Sequence, residues 1–166
     1  MNWGLSDQLT KKFPKVNPVY RPIVVKQTIK DPYWLAGFIT GKSNFTISIF
    51  KSTTKTGYAV RLIFRITQHS RDIELMKSLV DYLGCGRYIA GPLTKNHGDY
   101  IVSNLPDIVE KIIPFLNKYP IIGNKYLDFS DFCETANIMK AKGHNTKEGL
   151  EKRIKIKEGM NKGRDK

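Results

Sequence analysis

The side chains in this sequence that could most readily bind a ligand are basic and polar groups at alternate positions of the chain. Arg61 and Arg65 lie in a segment, 58–67, where apolar and polar residues alternate. A period of two puts one set of side chains on one face of a β-strand. A twisted two-stranded ribbon fits the major groove of a nucleic-acid duplex, so polar groups on that face are candidates to contact it; ordinary solvated side chains are the alternative explanation. The candidates from this segment and the one before it are Asn44, Thr46, Ser48, Lys51, Lys55, Arg61, Arg65 and Thr67.

The histidines and cysteines lack the spacing of a metal site. His69, His97 and His144 stand far apart in the sequence, and neither Cys85 nor Cys133 has a second cysteine close to it. Zinc sites and disulfide frameworks need clustered ligands or several cysteine pairs. We therefore expect no metal site, and we expect both thiols to be packing groups.

Net charge indicates the partner. The chain has 166 residues and a net charge of +13. Residues 31–139 carry twelve basic and ten acidic groups, whereas 1–30 carry six and one, and 140–166 carry ten and four. Basic ends on a near-neutral middle are typical of a folded domain that approaches a polyanion, either nucleic acid or an anionic membrane. The basic stretch 152–157 has only two isoleucines, which favours nucleic acid and no membrane partner.

The elements that must position these groups follow from hydrophobic periodicity. A proline follows the cap residue Asp31 and begins an apolar stretch, which predicts a short, almost wholly buried helix. The predicted order is helix, two strands, helix, two strands, three helices: an α/β protein of the α+β kind with a four-stranded antiparallel sheet. The predicted later elements are a helix at 73–83, a hairpin at 87–104, and helices at 105–118, 123–140 and 146–158. The predicted units are a basic, proline-rich linker arm at 1–31, a domain at 32–158 and a basic tail at 159–166.

The stretch Trp34-Leu35-Ala36-Gly37-Phe38-Ile39-Thr40-Gly41-Lys42-Ser43-Asn44-Phe45 resembles the signature helix of the LAGLIDADG homing endonucleases. Further matches along the chain resemble the C-terminal half of fungal mitochondrial single-chain members; they lie at 2–6, 62–69, 82–86, 118–123 and 156–164. The resemblance implies one αββαββα unit with extra C-terminal helices and a saddle-shaped sheet, preceded by the linker between halves. It also implies a mitochondrial location.

The resemblance implies that the signature helix packs against an equivalent helix of a second half. Small residues let two helix backbones approach closely. The interface helix is therefore expected to use Leu35, Ala36, Gly37, Phe38 and Gly41.

The sequence departs from the family pattern where the resemblance implies catalysis. A carboxylate at the end of each signature helix holds divalent metal against the scissile phosphates, but this chain has Lys42 there. Thr40, Gln68 and Asn104 are the other expected neighbours of this degenerate site, with Asn104 in place of a basic residue. Because hard Mg²⁺ needs anionic oxygen ligands, an ammonium group cannot replace the acid. Lys42 is instead a candidate to bind a phosphate.

These observations predict a nucleic-acid-binding protein that has lost endonuclease activity. The nucleic acid is DNA or structured RNA, such as intron RNA or the RNA of a ribonucleoprotein. One alternative is half of an active homing endonuclease, whose partner half supplies the remaining acid; a domain that binds only protein is another. No cofactor is expected, with Mg²⁺ needed only beside an active partner half. Two Lys42 side chains would repel each other in a homodimer, which favours a non-identical second half or a polyanion between the two lysines.

Overall fold

A computed structural model describes residues 6–17, 28–54, 56–92, 95–141 and 146–161 of the chain. Within them the order is α1 (Asp7–Lys12), α2 (Pro32–Lys42), β1 (Ser43–Lys51), β2 (Tyr58–His69), α3 (Ile73–Leu83), β3 (Arg87–Ala90), β4 (His97–Val102), and three further helices. The first of these, α4, has three consecutive parts: Leu105–Asp107, a π turn Ile108–Ile112, and Ile113–Lys118. It is followed by α5 (Asn124–Lys140) and α6 (Lys147–Glu158).

The four strands form one open antiparallel sheet with the order β1-β2-β4-β3. The register pairs Ser43 with Ile66 across β1 and β2, and Ile66 with Tyr100 across β2 and β4. Strand β3 is paired to the outer side of β4. The predicted mixed fold with its antiparallel four-stranded sheet is confirmed.

One face of the sheet is covered by helices and forms the core. Phe45 of β1 packs at a tilt against Phe64 of β2, with ring centroids 5.3 Å apart, and against Phe129 and Phe132 of α5 at 5.5 and 5.3 Å. Helix α3 packs on β3 and β4, while α2 packs on β1 and β2. Since alternate strand residues point to opposite faces, the other face of the sheet is left for polar side chains.

Helix α2 begins as its sequence predicts. The Asp31 carboxylate accepts a hydrogen bond from the Tyr33 N–H at 2.8 Å, and Pro32 occupies the first turn, where its missing N–H costs nothing. The expectation of an almost wholly buried helix is wrong. Tyr33 is 66% and Trp34 48% exposed, because α2 covers the sheet with one side only. The other side lies at the surface.

The predicted helix at 105–118 contains a local irregularity that periodicity does not reveal. Its π turn, Ile108–Ile112, comes shortly before Pro114. Proline has no N–H to donate and its ring crowds the preceding turn, so a helix that contains it must widen or bend. The apolar side chains Ile108, Ile112 and Leu116 remain buried through this region.

The chain beyond α6 belongs to the folded unit. Met160 is buried in the core, and the Asn161 N–H donates to Asp128 Oδ1 at 2.9 Å. Asn161 adopts a left-handed backbone (φ 52°) and its amide donates to the Phe45 carbonyl at 3.2 Å, on the outer edge of β1. Folded structure thus extends three residues past the predicted boundary at 158. Most of the predicted tail, 162–166, and residues 1–5 and 18–27 of the predicted arm lie outside the described residues.

Candidate nucleic-acid interface

The polar face of the sheet brings together most of the predicted binding residues. The register pairs Asn44 with Arg65 and Ser48 with Arg61 across β1 and β2. The same face carries Thr46 and Thr67, two residues further along each strand. Lys51 is exposed at the end of β1, near the hairpin tip, and Lys55 lies outside the described residues. The predicted alternation thus holds for Asn44, Thr46, Ser48, Arg61, Arg65 and Thr67, whereas the odd position of Lys51 places it on the face of Phe45 and Ile47.

Arg61 is held above an aromatic ring. Its guanidinium carbon lies 5.4 Å from the centroid of the Phe50 ring, a cation–π arrangement on the same face of the sheet. Both side chains are exposed. Phe50 was absent from the predicted set, although its even position in β1 places it on the face of Thr46 and Ser48. The ring leaves the planar guanidinium facing solvent, where it can meet a phosphate or a base edge.

Arg65 lies beside Asp99, an acid that is not among the predicted binding residues. Arg65 Nε is 3.9 Å from Asp99 Oδ2 of β4. The Thr67 hydroxyl donates to the other carboxylate oxygen, Oδ1, at 2.6 Å. Two predicted residues therefore share one acidic partner, and the alternation His97, Asp99, Ile101 within β4 was the signal that could have found it.

Asn44 and Thr46 join this face to the C-terminal end of the described chain. The Thr46 hydroxyl donates to Asn44 Oδ1. The Asn44 amide nitrogen in turn lies 3.5 Å from Asn161 Oδ1. The start of β1 is thereby fixed by contacts from a residue more than a hundred positions away, which no local sequence pattern predicts.

The end of α2 is a strongly basic corner. Lys42 is exposed at the last helical position, and Lys125 of α5 donates from Nζ to the Ser43 carbonyl at 2.6 Å. Carbonyl groups at a helix C-terminus carry partial negative charge, which attracts ammonium groups. Lys125 was missed because it lies 82 residues from Ser43 and nothing local distinguishes it from other lysines.

The predicted neighbours of Lys42 divide into those the structure brings near and one it does not. Thr40 precedes Lys42 in α2, and its hydroxyl donates to the Ala36 carbonyl at 2.9 Å. Gln68 lies two residues beyond Ile66 on the Lys42 side of the sheet. Grouping Asn104 with Lys42 is wrong: Asn104 follows the opposite end of β4, and its amide donates to Asp107 Oδ2 at 3.2 Å.

The donor set at the end of α2 does not fit a divalent cation. Mg²⁺ needs oxygen ligands, preferably carboxylates, whereas Lys42 and Lys125 place two ammonium groups at this corner. Across the described ranges, no three His, Cys, Asp or Glu side chains are grouped closely enough to hold a metal ion.

The exposed side of α2 is a stripe with small residues in it. Tyr33, Gly37 and Gly41 recur every four residues and lie at the surface, next to Trp34, whose ring stacks on Phe38 with centroids 5.2 Å apart. Outside the helix itself, no heavy atom of the described residues lies within 4 Å of a Cβ added at Gly37 or Gly41. A second backbone can approach such a surface closely.

Two members of the predicted interface set face the other way. Leu35 and Ala36 are buried within this unit and pack toward its own sheet. With 3.6 residues per turn, positions 35, 36 and 39 share one side of α2 and positions 33, 37 and 41 share the other. Assigning Leu35 and Ala36 to the interface with a second half is therefore wrong; Gly37 and Gly41 are exposed, and Phe38 is half-buried.

The residues of this site lie within a region that matches a known protein family. The profile of the LAGLIDADG endonuclease family matches residues 35–136. The chain is 39% identical to "Probable intron-encoded endonuclease 3" of Neurospora crassa over 152 residues, which cover 90% of this chain and 28% of the relative.

Solved structures agree with this match. The LAGLIDADG homing endonuclease I-SmaMI, bound to cleaved DNA, is 46% identical with a TM-score of 0.92, covering 99% of this chain and 55% of that one. I-LtrWI, bound to target DNA, is 43% identical with a TM-score of 0.90, covering 98% and 54%. The chain thus spans about half the length of these solved relatives, and less of the curated one. From the signature helix, the sheet and these similarities together, the chain belongs to the LAGLIDADG homing endonuclease family.

Proposed function

We propose that this chain is a DNA-binding LAGLIDADG unit that does not cleave DNA on its own. It binds a duplex through the polar face of its sheet and through its basic ends. It pairs with a second, non-identical LAGLIDADG half across the exposed stripe of α2.

The observation that carries this proposal is the basic corner at the end of α2. The family resemblance assigns the position of Lys42 to the metal-binding acid, and Lys125 adds a second ammonium group beside the same helix end. Two cations there repel a divalent metal ion and attract a phosphate. The corner therefore favours binding to the nucleic-acid backbone over metal-assisted cleavage, and we expect no Mg²⁺ requirement for binding.

DNA is the favoured nucleic acid because the similar solved structures I-SmaMI and I-LtrWI are bound to DNA. The face that would meet the duplex offers the right chemistry: two arginines at alternate outward positions of β2, polar groups on β1, and few acids. Arginine forks match guanine edges in a wide major groove, whereas the major groove of an RNA duplex is too deep and narrow for side chains to read.

A second half is supported by the surface that α2 leaves open. Tyr33 contacts Tyr119 edge-on at 5.1 Å, and Lys125 reaches the other end of α2, so the segment between them runs beside this helix. Ile122 in that segment is 73% exposed. Large exposed apolar side chains next to a glycine-containing helix stripe are typical of an interface with another protein. The part of the chain that the structure describes has no helix with the length and hydropathy of a membrane span.

Fungal mitochondria are the proposed location. Intron-encoded relatives from Neurospora crassa match most of this chain, and the family resemblance implies a mitochondrial origin.

The proposed function is tested by measuring duplex affinity against salt. Binding is measured by fluorescence anisotropy with a labelled random-sequence DNA duplex in EDTA. The logarithm of the association constant should fall linearly with the logarithm of the salt concentration. An unlabelled DNA duplex should compete better than an RNA duplex of the same length. An affinity that does not change with salt concentration would contradict nucleic-acid binding through phosphates. Stronger competition by the RNA duplex would contradict the choice of DNA.

A further inference from the structure

The carboxylate of Asp99 puts a negative charge on a surface that is proposed to bind a polyanion. Among the described strand residues on the polar face, Asp99 is the only acid. A carboxylate there repels phosphates and so weakens binding through the backbone. It is nevertheless held in position, because the Thr67 hydroxyl donates to Oδ1 at 2.6 Å. We therefore look for a role of Asp99 other than raising the affinity for DNA.

The second oxygen of Asp99 faces Arg65. Oδ2 lies 3.9 Å from Arg65 Nε, the nitrogen on the inner side of the guanidinium group. Since the contact is made at Nε, the two terminal nitrogens remain available to act as a fork. Such a fork matches the O6 and N7 acceptors of guanine in the major groove.

The pair contributes little to folding. Both side chains are partly exposed, at 45% for Arg65 and 20% for Asp99, and ion pairs at such sites stabilise a protein only slightly. The cross-strand partner of Arg65 is Ile101, an apolar residue on the same face that offers the guanidinium no charge. Orientation of the guanidinium is thus the main consequence of the arrangement.

We propose that Asp99 is a positioning residue that orients Arg65 to read one guanine, so that this unit selects a G·C pair at the step facing Arg65. The inference rests on the proposed DNA binding. Arg61 differs, because its guanidinium lies over the Phe50 ring and pairs with no carboxylate of the described residues. Arg61 therefore contributes affinity with less base preference.

The test selects binding sites from a random-sequence duplex library with the wild-type chain and its variants. The wild type should enrich one guanine, and Arg65→Ala should lose that preference, which for a bidentate contact is on the order of ten- to a hundredfold. Asp99→Ala and Asp99→Asn should reduce it to about threefold or less while total affinity at low salt rises, because a negative charge has been removed. The double variant Arg65→Ala/Asp99→Ala should discriminate no worse than Arg65→Ala alone.

Three results would overturn the inference. The first is enrichment of the same guanine by the Asp99 variants as strong as by the wild type. The second is retention of that preference by Arg65→Ala. The third is a loss of preference at a second base pair in the double variant, which would mean that Asp99 reads a base directly. Asp81→Asn, an exposed acid on α3 in the helical layer, is the matched charge control and should leave the guanine preference intact. If no duplex binds with salt sensitivity, the proposed function fails first; if duplexes bind but no guanine depends on Arg65, only this inference fails.

Discussion

The polar face of the sheet and the end of α2 meet at Ser43, yet they offer different chemistry to a nucleic acid. On the sheet, the arginine side chains lie against specific partners, Phe50 under Arg61 and Asp99 beside Arg65. At the end of α2, Lys42 and Lys125 supply charge without carboxylate ligands. We propose that the first surface recognises a duplex and that the second holds its backbone.

The difference shows how binding and cleavage can separate within one unit. Recognition depends on strand alternation and register, which stay intact when one residue at the end of a neighbouring helix changes. Cleavage through metal depends on a small number of oxygen ligands, so one change from acid to lysine removes it. A chain can thus keep the fold and the binding surface of a nuclease without its chemistry.

The comparison is most strongly tested by removing both arginines of the polar face. The double variant Arg61→Ala/Arg65→Ala should weaken duplex binding by about a hundredfold or more, because each contact contributes about 1–3 kcal/mol. The salt dependence should also become less steep. Anisotropy titrations check this, with Lys77→Ala on α3 as a control that removes a basic group from the helical layer. Binding that survives the double change would move the interface away from the sheet.

Reversing the charge at the end of α2 should have a smaller effect. Lys42→Glu should weaken duplex binding in EDTA by about tenfold, since one phosphate contact is lost and a repulsion replaces it. Mg²⁺ should restore part of this affinity in the variant and little in the wild type, because only the glutamate offers an oxygen ligand. Equal affinities of the two proteins in EDTA would contradict a phosphate-binding role for Lys42.

The edge of β1 provides a test of the scaffold that both regions share. Asn161→Ala should lower the free energy of unfolding by about 1 kcal/mol, because it removes the amide contact to the Phe45 carbonyl and strains a left-handed backbone. Asn161→Gly retains the backbone freedom and should lose less. Urea unfolding measures both; an alanine variant as stable as the wild type would show that the segment after α6 is not part of the folded unit.

The smallest expected change in stability comes from a substitution in the exposed stripe of α2. Gly37→Leu should leave the isolated chain as stable as before, or more stable by up to about 0.8 kcal/mol, since leucine favours helix over glycine and the space beside Gly37 is open. When a second, non-identical LAGLIDADG half is added, the same change should abolish complexes with two units on one duplex in mobility-shift assays. A marked fall in Tm would instead place Gly37 inside the unit's own core.

Much of the fold follows from local patterns in the sequence. The alternation in 44–48 and 61–67 predicts the two faces of β1 and β2, and the Asp31–Pro32 pair predicts where α2 begins. The side of α2 that is buried could not be predicted from its composition, because the helix is apolar nearly all round. Which apolar side faces the sheet depends on tertiary packing alone.

The candidate site was less predictable because its partners are distant in sequence. Asp99 reaches Arg65 only through the β2–β4 register, and Lys125 reaches Ser43 only after α5 packs beside β1. Asn104 was assigned to the wrong end of β4 for the same reason: a short strand gives no local sign of its register.

We propose that this chain binds DNA and does not cut it on its own. The most direct test incubates the purified chain with a supercoiled plasmid that carries a site selected by the wild-type protein, in Mg²⁺ and in EDTA. We expect the plasmid to migrate more slowly but to stay supercoiled in both conditions, and to return to its free mobility at high salt. Nicked or linear plasmid that accumulates in Mg²⁺ and not in EDTA would contradict it.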